Sequence, residues 1–433
     1  MLSLRCGTTS TTVPLPLSSL PGRGIPASLD QLRALRCAVG VAREGSASAA
    51  GDHLHASPSA VTRAVAGLEA WCGLPLFERG ARGMVPTPAG AHLAARAGRL
   101  LDQLRLGALD AQSLAIEQRG RTDPARFAAA VAPGALRAFA CIASSGSESG
   151  AARLLGLSQP AVHSALAELQ RLAGATLLQK TPRGSRLTHA GEAMLRRVLL
   201  AFSEARALES ELAVWQGTLR GRVVVGALPL SVSLVLPAAL ELLMRDHPEV
   251  EVTVVDGTYE SLVQQLLRAD VDLIVGALRD PPPSTEVQQE VLFRDDLAVV
   301  AREGHPALRP SRRGLASLLE LDWVVPLAGT PAHAALERAF ASEGLPAPQG
   351  HLRAGSPALT RALALQTGRL AIASRGEALL AGTPGLRVVP VPLPATTREI
   401  GIVWRAMGEP SPDLLALQDA LRGAAAALAR KPS

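Results

Sequence analysis

The 433-residue sequence contains no run of 18 or more apolar residues, the length a membrane-crossing helix needs. Its beginning is rich in Ser, Thr, Pro and Gly and carries Arg5 and Arg23 without an acid, yet never reaches the apolar run of a secretory signal. Residues 1–27 are therefore expected to be a disordered leader, and the protein is expected in the cytoplasm with no membrane partner. Cysteine is scarce. Cys6, Cys37, Cys72 and Cys141 fall in the first third with no C-x-x-C pair, which argues against both a disulfide framework and a zinc site. Residues 221–433 have none at all, which disfavours disulfide-based peroxide sensing there. Also missing are a P-loop, a G-x-S-x-G elbow, an H-E-x-x-H pair and carboxylates framed by a base. The nine histidines are scattered, and His53 and His55, two apart, cannot share a helix face. No catalysis, cofactor or metal is expected.

Lysine is nearly absent, with only Lys180 and Lys431, so arginine carries the positive charge. That bias fits a GC-rich genome as well as selection for phosphate contacts. Residues 1–220 hold 24 Arg and Lys against 15 Asp and Glu, a net +9, which leaves −3 for residues 221–433. A basic front and a slightly acidic back suit a front half that meets a polyanion.

What the sequence does contain is a repeat. At a fixed offset of 101, residues 34–91 and 135–192 align without a gap and share 22 of 58 positions, which marks a duplication. Each unit opens with an apolar helix, over residues 29–44 and about 134–144. A Gly-Ser break follows, with Ser46 or Ser147 placed to cap a short second helix. Then come "LHASPSAVTRAVAGLE" and "GLSQPAVHSALAELQ", where Ser57 and Ser158 can cap a third helix with Pro58 or Pro160 in its first turn. At 100° per residue, Val61, Val65 and Leu68 form a core stripe matched by Val162, Leu166 and Leu169. The opposite face is slim or polar: Ser59, Arg63 and Ala66 in one copy, Pro160, Ser164 and Ala167 in the other, with Thr62 and His163 on the flank.

Three short helices, the last with a slender polar face, describe a helix-turn-helix able to enter a major groove about 12 Å wide. Candidate groove residues are Ser57, Pro58, Ser59, Thr62 and Arg63, and in the second copy Ser158, Gln159, Pro160, His163 and Ser164. Behind each helix, "PLFERGARGMVPTPAG" and "TLLQKTPRGSRLTHAG" read as small hairpins or wings. Arg79 and Arg82, or Lys180, Arg183 and Arg186, would lie beside phosphates. A solvated turn is the alternative reading of those charges. Thr87 and Thr188 then cap long helices, residues 88–118 and 189–216. Their apolar faces, with Leu93, Leu100, Leu101 and Leu104 or Leu195, Leu199, Phe202 and Leu208, suit either pairing between subunits or packing within one chain.

The run G-S-x-S-x-A-A-x-x-L-x-x-S, then A-V, L-E-x-x-x-G-x-x-L-F-x-R-x-x-R-G and T-x-A-G, resembles the winged helix-turn-helix of LysR-type transcriptional regulators, here present twice. The copies depart from that pattern differently. The first has Pro58 where Gln is common, Pro86 for Leu, and no aromatic in its first helix. The second has Gln170 for Glu, Leu178 for Phe and Lys180 for Arg.

From Arg222 the pattern alternates strand and helix: "RVVVGAL", "LVLPAALELLMRDHP", "VEVTVVDGT", "ESLVQQLLRAD" and "VDLIVGALR". A second set follows from "LDWVVPLAGT", and "TREIGIVWRA" with a last helix returns to the first. This predicts parallel sheets with crossover helices in two α/β subdomains around a cleft. Ligands bind beyond the carboxyl ends of such strands, often at helix N-termini. The effector candidates are Leu230, Ser231, Thr258, Pro326, Thr330 and Ser356, each Ser or Thr being an ordinary cap on the simpler reading. The stretch resembles the effector-binding domain of the same family, itself similar to periplasmic binding proteins. Thr258 matches a frequent inducer contact, and Leu230 stands where Ser or Thr is common.

The expected architecture is therefore an α-rich N-terminal half and an α/β C-terminal half. The leader is followed by winged helix-turn-helix 1 (28–88), linker helix 1 (89–118), winged helix-turn-helix 2 (133–188), linker helix 2 (189–217) and an effector domain (221–430). Its subdomain I covers about 221–293 and 396–430, and subdomain II about 294–395. The expected function is a DNA-binding transcription regulator controlled by a small-molecule inducer, an organic acid or sugar. Its expected partners are double-stranded DNA, that inducer, further copies in a homodimer or homotetramer, and RNA polymerase. Two alternatives stand beside it: a single reading head with the other structural, or a cytosolic solute-binding protein that does not bind DNA.

Overall fold

The computed structural model describes residues 24–80, 83–115, 122–182, 184–228, 232–309, 314–380 and 384–430. The chain divides into two compact units, residues 1–217 and 218–433.

In the first unit, a 3-10 turn, Ala27–Gln31, leads into α1 (Leu32–Glu44), α2 (Ala47–Leu54) and α3 (Pro58–Cys72). A two-stranded hairpin, β1 (Phe77–Gly80) and β2 (Gly83–Pro86), precedes the long α4 (Pro88–Leu114). After α5 (Pro124–Ala130) the series recurs as α6 (Pro133–Ser145), α7 (Glu148–Leu155), α8 (Gln159–Ala173), β3 (Leu178–Thr181), β4 (Gly184–Leu187) and α9 (His189–Trp215).

The starts of these helices follow from hydroxyl caps that accept the first free N–H groups. Ser46, Ser57 and Thr87 cap α2, α3 and α4, and Ser147, Ser158 and Thr188 repeat the arrangement on α7, α8 and α9. The sequence reading differs in three places. The stretch before α1 is a 3-10 turn, so the helix proper starts at Leu32 and not at residue 29. The first long helix ends at Leu114, and residues 116–118 of its expected end lie outside the described residues. His55 is the left-handed C-cap of α2 and is not a helical residue.

The α4 and α9 helices run antiparallel against each other, and this is the most extensive helix pair of the unit. Arg96, 2% exposed, sits between them. It donates from Nε to Glu211 at 3.0 Å and from Nη1 to Glu204 at 3.1 Å. Burial opposes ionisation of this guanidinium, but hydrogen bonds and charge from Glu211 and Glu204 outweigh it and raise its pKa. Farther along, Arg197 donates to Asp110 at 2.7 Å and to Gln103 at 3.1 Å. Around these polar contacts lie Leu100, Leu104 and Ala108 from α4 and Val198, Ala201, Phe202 and Ala205 from α9, all buried. The long helices therefore pair within one chain.

The second unit begins with β5 (Gly221–Ala227), α10 (Val232–Asp246), β6 (Val250–Asp256), α11 (Tyr259–Leu267), β7 (Leu273–Ala277) and β8 (Val287–Asp295). Then follow β9 (Leu297–Arg302), β10 (Val324–Pro326), α12 (Pro331–Ala341), β11 (Leu352–Ala354), α13 (Pro357–Thr367), β12 (Ala371–Ser374), α14 (Arg375–Leu380) and β13 (Leu386–Val388). Finally β14 (Arg398–Arg405) and α15 (Pro412–Ala429) return to the beginning.

One sheet has the order β6-β5-β7-β14-β8, and the remaining strands form the pair β10-β11 and the sheet β12-β9-β13. The sheets are mixed and not purely parallel: β5, β6 and β7 run parallel, whereas β14 is antiparallel to both β7 and β8. The reversal follows from connectivity. The chain leaves through β8, builds β9 to β13, and re-enters through β14 between β7 and β8, in the direction opposite to β7. Among the described residues no single helix is long and apolar enough to cross a membrane.

Replacing Arg96 with Ala would leave Glu211 without this arginine and Glu204 held by Arg99 at 3.2 Å, so R96A is expected to lower the stability of the first unit by about 3 kcal/mol. Denaturant unfolding followed by circular dichroism checks this. Adding E204Q and E211Q to R96A is expected to recover more than half of the loss, because uncharged amides cost less to leave unpaired.

Candidate nucleic-acid interface and effector site

Each helix-turn-helix is built so that its third helix turns one face in and one face out. Val61, Val65 and Leu68 of α3 are fully buried, as are Val162 and Leu169 of α8, with Leu166 nearly so. On the outer side Ser57, Pro58, Ser59 and Arg63 are exposed and Thr62 is half-buried. In the second head Ser158, Gln159, Pro160, His163 and Ser164 are all exposed. The expected groove residues of each head therefore share one accessible face at the start of a capped helix.

Ser57 and Ser158 also serve as caps, accepting from the amides of Ala60 and Ala161 at 3.3 and 3.4 Å. Among the described residues Arg63 has no acidic partner, so its guanidinium is available to a ligand. His163 differs. Its Nδ1 lies 3.1 Å from Oε2 of Glu148 at the start of α7, so part of its hydrogen-bonding capacity is already engaged.

The hairpins sit beside these helices because of close backbone contacts that only glycine allows. Gly83 and Gly184 have φ of +108° and +122°, and a Cβ at either would overlap the carbonyl oxygen of Gly45 or Gly146. Those same carbonyls accept from Met84 and Ser185 at 2.8 Å, fastening each hairpin to the turn between its first two helices. At Gly90 and Gly191 an added Cβ would run into the carbonyl of Leu76 or Leu177, which explains the glycine of each T-x-A-G run.

A brace that sequence reading missed joins hairpin to third helix. Glu69 Oε1 accepts from the amides of Leu76 and Phe77 at 2.9 and 3.1 Å, and Gln170 Oε1 accepts from Leu177 and Leu178 at 2.8 and 3.3 Å. Glutamine departs from the pattern in name only, since its carbonyl oxygen performs the same task. On the hairpins, Arg79, Lys180 and Arg186 are exposed and have no acidic partner among the described residues. Arg82 and Arg183 lie outside the described residues.

The three described cysteines are not poised for redox chemistry. Burial pushes the thiols of Cys37, Cys72 and Cys141 above their ordinary pKa, away from the reactive thiolate.

In the second unit the effector candidates fall where strands end. Thr258 follows β6 and caps α11, accepting from Ser261 at 3.3 Å. Pro326 closes β10, Thr330 caps α12, and Ser356 follows β11 and caps α13. Leu230 and Ser231 lie outside the described residues. Each of the three hydroxyls already accepts one amide, yet each also marks a helix N-terminus with further free N–H groups. Beside the Thr258 helix, the Arg279 guanidinium stacks 4.5 Å over the ring of Tyr259. The Tyr259 hydroxyl is buried without a hydrogen-bond partner among the described residues.

A small pocket that the sequence does not announce lies at α13, bounded by Thr360, Arg361, Glu377 and Leu386. Its only charged side chains, Arg361 and Glu377, pair with each other, so no net charge remains there to attract an ion.

Comparison with known proteins decides the family. Residues 32–91 and 133–192 each match the bacterial regulatory helix-turn-helix protein family of lysR type, and residues 216–426 match the LysR substrate binding domain. The chain belongs to the LysR family of transcriptional regulators. It is accordingly a DNA-binding regulator of transcription that responds to a small-molecule effector, and not an enzyme. It is 36% identical over 404 residues to the HTH-type transcriptional regulator GalR of Pseudomonas putida, covering 92% of this chain and 98% of that one. A span of that length takes in both repeats. To the HTH-type transcriptional regulator PcaQ of Agrobacterium fabrum it is 29% identical, over 68% of this chain and 94% of that one. Among solved structures, CbnR, a LysR family transcriptional regulator, is 20% identical with a TM-score of 0.50, over 67% of this chain and 98% of that one. A full-length OxyR variant from Pseudomonas aeruginosa is 19% identical with a TM-score of 0.52, over 67% and 94%.

For this LysR-family chain the brace gives a direct check. Glu69→Ala and Gln170→Ala are each expected to cost roughly 1 to 3 kcal/mol, because two amides lose their acceptor at once, whereas Gln170→Glu is expected to stay within about 0.5 kcal/mol. Urea melts of the three variants decide it. An equal loss in all three would show that the carboxamide oxygen is not the acceptor that matters.

Proposed function

We propose that both heads read duplex DNA, α3 and α8 each lying in a major groove with the adjoining hairpins on the phosphates. The observation that carries this reading is the duplicated arrangement itself. Two capped helices present exposed polar faces, and beside each lies a hairpin whose cations have no acidic partner among the described residues. The phosphate contacts fall to Arg79 and Lys180 with Arg186, joined by Arg82 and Arg183. Base contacts fall to the exposed starts of the two helices.

The second unit acts as a two-subdomain domain like the periplasmic binding proteins, and an organic acid or a sugar bound near Thr258, Pro326, Thr330 and Ser356, with Leu230 and Ser231, biases its conformation. The free amides at three helix N-termini support an anionic group on that inducer. The regulator works in the cytoplasm as a homodimer or homotetramer, and contact with RNA polymerase conveys its effect. A second reading has a specific observation behind it. Because Glu148 engages His163, the second head could supply phosphate contacts while the first alone reads bases.

Two measurements test these readings. Arg63→Ala and Gln159→Ala are each expected to relax sequence preference by about 1 to 3 kcal/mol, while Arg186→Ala weakens all duplexes alike and reduces the salt slope of binding by about 1. If Q159A leaves base preference untouched while R63A abolishes it, the single-reader alternative is correct. For the inducer, thermal shift against a panel of aliphatic carboxylates, aromatic carboxylates and monosaccharides is expected to yield a stabilising compound. Its effect should be lost in Thr258→Val and retained in Thr258→Ser, which preserves the cap. A stabiliser indifferent to T258V would place the inducer elsewhere.

A further inference from the structure

We infer that one chain closes upon itself the interface that joins two DNA-binding heads, so that a single chain is a complete reader of an operator with two unlike half-sites in inverted orientation. The inference rests on the reading that both heads bind DNA. Its own support lies in the way contacts in the first unit repeat.

At the 101-residue offset Arg96 corresponds to Arg197, Gln103 to Glu204, and Asp110 to Glu211. Arg96 of α4 reaches Glu204 and Glu211 on α9, and Arg197 of α9 reaches Gln103 and Asp110 on α4. Each arginine thus meets the same two positions on the opposing helix. A second reciprocal pair lies away from the long helices. Arg36 of α1 donates to the carbonyl of Val131 at 2.8 Å, and Arg137 of α6 pairs with Asp30 at 2.8 Å. Asp30 and Val131 are again 101 residues apart.

The cores are exchanged in the same manner. Leu100, Leu104, Ala108 and Ala111 of α4 belong to the apolar cluster of the second head, whereas Leu208 and Leu212 of α9 complete the cluster of the first. If residue i of one half touches residue j of the other, then j's counterpart touches i's, which is the signature of a two-fold interface. Here that symmetry holds within one polypeptide.

Two consequences follow. Heads related by a two-fold present their recognition helices to half-sites in inverted orientation. The reading faces are not copies, however. Pro58, Ser59, Thr62 and Arg63 stand where the second head has Gln159, Pro160, His163 and Ser164, so the two half-sites must differ. Pairing in cis is also favoured by proximity, because tethered partners meet at an effective concentration on the order of mM, far above that of separate chains.

The pairing can be tested on the full-length protein without DNA. At Gly107 an added Cβ would lie 3.0 Å from the Met194 sulfur, so Gly107→Cys with Met194→Cys sets two cysteines on facing positions of α4 and α9. Mild oxidation is expected to give a cross-linked species of monomer mass on a non-reducing gel, whereas a dimer-mass product would overturn the inference. The half-sites are tested by selecting bound duplexes from a random library with wild type, R63A and Q159A. The expected site has two different inverted half-sites, with R63A lowering discrimination about tenfold in one half only and Q159A in the other only. Identical half-sites, both altered by one substitution, would mean that like heads of two chains pair, and would overturn it. If neither substitution changes base preference while the monomer-mass cross-link forms, the reading of DNA by these faces fails and the pairing within one chain stands.

Discussion

The antiparallel pairing of the two long helices is the constraint on which the first unit depends. A short three-helix head with a two-stranded hairpin has little apolar surface to bury by itself, and small domains are correspondingly marginal. Each head here completes its core with a helix that begins in the other. Arg96 fixes the axial position of that pairing. Sliding α4 by one turn along α9 would carry the Arg96 guanidinium about 5.4 Å away from Glu204 and Glu211, and Asp110 and Gln103 as far from Arg197. Such a buried ionic contact need not add net stability to specify register, and register determines where the two recognition helices stand.

Above that seam each head is held by the same set of braces. A hydroxyl caps the second, third and long helix of each head, a glycine allows the hairpin to sit on the first inter-helical turn, and a side-chain oxygen from the third helix accepts two amides at the start of the hairpin. Glu69 and Gln170 show that the geometry of the acceptor matters here and its charge does not. The exposed face is consequently rigid for local reasons, and its placement relative to the other head is rigid because of α4 and α9.

Much of this was legible beforehand. Caps at Ser46, Ser57, Thr87 and their counterparts located the helices, since a hydroxyl before an apolar period is a local signal. The core stripes of α3 and α8 followed from spacing alone, and so did the alternation of strand and helix after Arg222. The pairing of α4 with α9 was not legible, because an apolar helix face does not say which helix covers it, and the two arginines that decide the matter are separated by a hundred residues. Likewise α5 has only seven residues and no period to reveal it. The antiparallel entry of β14 depends on the path of the whole chain, which a run of β-branched residues cannot convey. In the effector region the strand ends were found, but hydroxyls that cap helices look the same in sequence as hydroxyls that await a ligand.

The duplication itself supplies a comparison that a single head would not. Where the copies agree, the agreement falls on structural necessities: the caps Ser57 and Ser158, the left-handed hairpin glycines Gly83 and Gly184, and the close-packed Gly90 and Gly191. At the exposed start of the third helix Pro58, Ser59, Thr62 and Arg63 stand against Gln159, Pro160, His163 and Ser164, while Ala60 and Val61 among them match Ala161 and Val162. A second head kept only as packing surface would need its caps and close-packed glycines, but not an exposed polar face at the start of its third helix. Unlike side chains on two exposed faces that are held by like caps and glycines are what two readers of different sequences would present.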